Sequence, residues 1–122
     1  METKDLLEKV LKDCRKRCGI ESVMIGNRDG ILIAGEIPSN FSAESLLATI
    51  STIFGAAEMV SVALGSGLPN KVVIDTEKGK IIVIGAGPKA FITAKVEPDE
   101  EQLGLALFEI NRAAIKIKEI LE

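Results

Sequence analysis

The chain has 122 residues, with no histidine, tryptophan or tyrosine, and a formal net charge of −3 spread over interspersed acids and bases. No Lys/Arg cluster forms a stripe that could track phosphates, which argues against nucleic-acid binding, and the missing histidine removes the commonest acid–base catalyst and metal ligand. A hydrophobic fraction of 47% and a mean hydropathy of +0.27 are high for one small domain, residues 1–122, and favour an oligomer, because small domains have much surface to keep wet.

The N-terminal stretch is charged and amphipathic and has no apolar core of a signal peptide, so a cytoplasmic location is expected. Leu7, Val10, Leu11, Cys14 and Cys18 recur at three- and four-residue spacing and predict a helix over about Lys4 to Arg17, with Gly19 as its C-terminal cap. Cys14 and Cys18 read as small buried hydrophobes on that stripe. A redox pair is the alternative, and no further Cys or His completes a zinc site.

Ser22 to Ile25 and Ile31 to Ala34 read as strands joined by Asn27-Arg28-Asp29-Gly30. Asn and Asp favour the start of the turn, and Gly30 supplies the positive φ that a tight hairpin needs. Pro38-Ser39-Asn40 is a loop, and Ser42 is a helix N-cap with Glu44 near the positive helix end.

The next helix, Leu46 to Leu64, is the most informative segment. Between Ser45 and Asn70 the chain carries one charge, Glu58. Leu46, Leu47, Ile50, Ile53, Phe54, Ala57, Val60 and Leu64 project onto one broad face suited to a sheet. The opposite face holds Ala48, Ser51, Thr52, Gly55, Met59, Val62 and Ala63, small and uncharged for the most part. A solvent-facing helix surface normally carries Lys and Glu, and Gly55 costs about 1 kcal/mol relative to Ala inside a helix, so this second face is expected to meet another chain. A membrane span fits by length alone, but Thr49, Ser51, Thr52, Glu58 and Ser61 lie within it and no basic flank anchors it. Glu58 falls at the margin between the two faces. It reads first as a rim carboxylate in water; with Ser51, it is also a candidate contact for a partner protein.

Gly65 to Asn70 is a turn, and Lys71–Thr76, Lys80–Gly85 and Ala90–Val96 follow as β-branched, apolar strands of the kind covered on both faces. Asp99 caps a last helix, with Glu100 and Glu101 in its first turn and Leu103, Leu107, Ile110, Ala114, Ile117 and Leu121 as its stripe. Neither Gly65-Ser66-Gly67 nor Gly85-Ala86-Gly87 enters a helix as a phosphate loop must. The carboxylates are scattered, and no hydroxyl has a base to activate it. No catalytic residue, cofactor site or metal site is therefore expected. The predicted fold is α+β: an antiparallel five-stranded sheet in the order α-β-β-α-β-β-β-α, with the first and last helices on one face and the middle helix on the other.

This arrangement resembles the roadblock domain family, of the dynein-light-chain type, which includes bacterial gliding-motility GTPase regulators. The matching residues are Ser22-Val23-Met24-Ile25, then Asn27-Arg28-Asp29-Gly30-Ile31-Leu32-Ile33-Ala34, the Ala-rich helix with Gly55-Ala56-Ala57-Glu58, and Asp99 to Leu105 leading into Asn111-Arg112-Ala113-Ala114. The resemblance implies a roadblock/profilin-like architecture and a homodimer. In such a dimer the strand Lys71–Thr76, with Val72 and Ile74, joins two sheets edge to edge, and the middle helices meet around Ala48, Thr52, Gly55, Met59 and Val62. It also implies a scaffold that regulates or anchors a small Ras-like GTPase without chemistry of its own. The alternative is a small-molecule sensor of profilin/PAS-like architecture, with its pocket between sheet and middle helix.

Overall fold

The computed structural model describes residues 2–16, 19–36, 40, 42–98 and 100–122, the side chains of Glu100 and Glu101 excepted. The expected loop residues Pro38 and Ser39, the stripe residue Cys18 and the cap Asp99 lie outside the described residues.

Helix α1 (Thr3–Arg15) is followed by strands β1 (Ile20–Asn27) and β2 (Leu32–Gly35), helix α2 (Ala43–Ala63), strands β3 (Lys71–Thr76), β4 (Gly79–Ala86) and β5 (Ala90–Val96), and helix α3 (Glu100–Leu121). The five strands form one sheet in the order β2-β1-β5-β4-β3, and every neighbouring pair is antiparallel. The fold class and element order are those expected. β1 is longer than its apolar core suggested, because pairing with β5 extends it from Ile20 to Asn27. The β1–β2 turn closes as its residues dictate: Asn27 Oδ1 accepts from the Asp29 and Ile31 amides at 2.9 and 3.0 Å, and Gly30 has φ +85°.

The two faces of the sheet are unequally covered. α1 and α3 pack side by side on one face and enclose the main core, in which Leu7, Ile25, Ile82, Ile92, Ile110 and Ile117 are fully buried. The α3 stripe falls where its spacing put it, with Ile110, Ala114 and Ile117 buried and Leu103, Leu107 and Leu121 packed against them. The other face carries α2 alone and a much smaller core of Met24, Leu47, Ile50, Phe54, Val83 and Phe91. The expectation that all three C-terminal strands are covered on both sides holds for β4 and β5. It fails for β3, whose residues are half-buried or exposed. β3 is an edge strand, and α2 covers it only in part: Val72 packs against the smaller core, and the rest of the strand lies outside it.

Candidate functional site

The unfinished face of the molecule lies around α2. Ser42 caps the helix by accepting from the Ser45 amide at 3.3 Å. Leu47 then drops onto Gly26 of β1, where a Cβ would lie 2.8 Å from Leu47 Cδ2, and Phe54 reaches Gly85 of β4. These two seven-residue-spaced anchors span two strand intervals, so α2 runs across the strands. Three intervals of about 4.8 Å separate β1 from β3. At about 1.5 Å per residue, the helix has crossed its own sheet near Ala57.

From Glu58 onward α2 has no sheet of its own beneath it. Met59 is 76% exposed, Val60 60% and Leu64 78%. This corrects the expectation for the large face: Leu47, Ile50 and Phe54 are buried, Leu46, Ile53 and Ala57 half-buried, whereas Val60 and Leu64 stand in the open. α2 is long and apolar enough to cross a membrane by length and composition, yet its first half is seated on the sheet.

The two flanks of α2 differ. One faces the β1–β2 turn. There Ala48 abuts Gly30, Ser51 donates its hydroxyl to the Arg28 carbonyl at 2.7 Å, and Glu58 pairs with the Arg28 guanidinium at 3.1 Å. Arg28 in turn lies over the Phe54 and Phe91 rings, 5.1 and 6.0 Å from their centroids. Ser51 and Glu58, read from the sequence as open to a partner, are thus engaged within the chain. Arg28 is the residue that sequence reasoning missed; the only signal was a lone cation in a turn ahead of a helix with a lone anion. Gly55 has nothing within 4 Å of where its Cβ would stand, and Thr52, Met59 and Val62 are exposed.

The other flank borders an apolar groove of about 430 Å³ between Leu46, Thr49, Ile50 and Ile53 of α2 and Ile74, Ile81 and Thr93 of the sheet, with Lys78 and Lys95 at its rim. Val72 packs under α2, whereas Ile74 lines the groove. β3 pairs with β4 alone among the described residues, so its outer backbone edge is open next to the groove. The expected interface residues fall in two places: Ala48, Thr52, Gly55, Met59 and Val62 on the turn side and back of the helix, and Val72 and Ile74 on β3 beneath its opposite flank.

Residues 6–95 match the Roadblock/LC7 domain. The chain belongs to this family. It is 34% identical over 116 residues to the uncharacterized protein MJ0310 of Methanocaldococcus jannaschii, covering 93% of this chain and 97% of that protein. Its fold is similar to that of the gliding protein MglB from Thermus thermophilus, with a TM-score of 0.85, 18% identity, and 98% and 91% of the two chains covered. It is also similar to an MglB structure with a tetrameric arrangement, with a TM-score of 0.85, 19% identity, and 98% and 90% covered. A roadblock-type regulatory or scaffold domain is thus the class of protein to which these surfaces belong.

Proposed function

We propose that the protein is a non-enzymatic, cytoplasmic homodimer that regulates or anchors a small Ras-like GTPase. The observation that carries this reading is the complementarity between the overhanging half of α2 and the open groove. Antiparallel pairing of two β3 edges about a two-fold axis keeps both α2 helices on the same face of a ten-stranded sheet. α2 lies over the Lys71 end of its own β3. The two-fold operation brings the second copy's helix over the Thr76 end, where the groove lies between Ile74, Ile81 and the flank of Ile53. The bare residues Val60 and Leu64 then rest on the other subunit's sheet. The large apolar face of α2 is continuous because its first half serves one subunit and its second half the other.

The GTPase reading draws on family membership. The paired helices would present an uncharged platform containing Thr52, Gly55 and Met59, and positioning of a partner's own loops requires no catalytic group here.

Light scattering on the purified chain should give about twice 13.0 kDa, and a monomer at micromolar concentration would overturn the homodimer. Immobilised protein offered candidate small GTPases loaded with GDP or a non-hydrolysable GTP analogue should retain one of them in one nucleotide state. Retention that ignores the nucleotide, or none, would count against a regulator.

A further inference from the structure

We infer that the inner end of the α2 groove is a binding site for a medium-chain aliphatic carboxylate. The second copy's helix does not reach this end. Past its own β3 it extends about seven residues, roughly 10 Å at ~1.5 Å each, enough to cover the neighbouring β3 and β4. The floor further in is lined by the buried Met24 and Thr93 of β1 and β5, beside Ile50 and Ile53. These side chains make an apolar trough into which an alkyl chain fits. The whole groove, about 430 Å³, would hold about fourteen non-hydrogen atoms at roughly 30 Å³ each, room enough for a medium-chain carboxylate.

Two features assign the headgroup. Thr93 is the buried polar residue of the described chain, 3% exposed, and its hydroxyl has no hydrogen-bond partner. Native structures keep few such groups, and each calls for an explanation; the other one among the described residues, Arg28 Nε, belongs to the guanidinium held over Phe54 and Phe91. Thr93 lines the groove, and rotation to another staggered χ1 position would be the means by which its hydroxyl meets a ligand there. Two residues along β5, on the same face, Lys95 stands at the rim with Ser22 opposite it in register. The Lys95 ammonium touches Glu21 at 3.2 Å across a half-exposed pair, which leaves donors free on its other side. Lys78 adds a second cation at the rim and makes no ion pair among the described residues. The trough therefore ends in hydroxyl and ammonium donors, complementary to a carboxylate and repellent to an amine.

The test uses the full chain with octanoate, and octylamine as the charge control, by calorimetry and native mass spectrometry, with the oligomer mass followed in parallel. One octanoate per subunit is expected, with the dimer mass unchanged. Thr93→Val preserves shape and should weaken binding at least tenfold, Lys95→Gln likewise, and octylamine should not bind. No octanoate binding, equal binding of octylamine, or affinity indifferent to Thr93→Val overturns the inference. So does octanoate that converts dimer to monomer, because the groove then belongs to the second copy along its whole length. Octanoate binding to a chain found monomeric would refute the pairing and leave this site standing.

Discussion

Replacing Val60 with aspartate separates the stability of the subunit from that of the pair. Val60 sits beyond the edge of its own sheet and is 60% exposed, so Val60→Asp should change the unfolding free energy of the isolated subunit by no more than about 0.5 kcal/mol, the usual range for surface substitutions. In the proposed dimer the same side chain would be covered. Full burial of a valine contributes about 1.5–3 kcal/mol. The exposed three-fifths corresponds to about 1–2 kcal/mol per helix, and the two-fold axis doubles this to about 2–4 kcal/mol. At about 1.4 kcal/mol per factor of ten, the dissociation constant should rise roughly 30- to 700-fold. A carboxylate carried into the groove adds a desolvation cost, so this is a lower bound. Sedimentation equilibrium over a dilution series measures the dissociation constant, and urea unfolding of the variant at its monomeric concentration measures the subunit. An unchanged dissociation constant would refute the placement of the overhang on a second sheet. A variant that fails to fold would show that Val60 is enclosed by its own chain.

Gly79 has φ +137°, and a Cβ there would meet the Val96 carbonyl oxygen at 2.5 Å; Gly79→Ala should therefore lower the urea unfolding free energy by at least about 2 kcal/mol, and a loss within 0.5 kcal/mol would contradict this backbone geometry. Arg28→Ala removes the Glu58 ion pair and the stacking on Phe54 and should cost about 1–2 kcal/mol, with Arg28→Lys recovering little because an ammonium lacks the planar fork. A double-mutant cycle with Glu58→Gln should give a coupling of at least about 0.5 kcal/mol; additivity would mean the two side chains do not act together. The Cys14 thiol is pushed up from 9.0 to about 11 by burial and, secondarily, by the nearby Glu109 carboxylate. The stability linked to this thiol is fully present below the unfolded pKa of 9.0 and is lost as the pH climbs through about 11. Urea midpoints of the parent should fall more steeply over that window than those of Cys14→Ala, and parallel curves would show that the thiol is not withheld from ionisation.

The order of elements was legible because each boundary is set by local chemistry. Asn27 to Gly30 can form little but a tight turn, Ser42 caps, and the apolar spacing of α3 marks its buried stripe. The ownership of surfaces was not legible. The periodicity of α2 reports that Val60 and Leu64 lie on the same face as Ile50, and nothing in a period says that the sheet beneath ends at Ala57. That limit follows from where Leu47 meets Gly26 and from the width of the sheet. The pairing of Arg28 with Glu58, thirty residues apart, depends on the angle at which α2 crosses the turn. For the same reason Ser51 and Glu58, both plausible surface contacts on a helical projection, turn out to be tied to the hairpin. Thr93 looked like one more β-branched strand residue, because its isolation is a property of its neighbours on β1 and β4.

The short β2 strand has a bearing on how far such assemblies grow. It has four residues, its pairing with β1 slips between Ile25 and Gly26, and it ends at Gly35, whose φ is +102°. A ribbon with two straight selvedges could be sewn to copies of itself without limit. This one has a single straight margin among the described residues, at β3, and a frayed one opposite, so the proposed joining of margin to margin would use up the means of joining, and the count would halt at two.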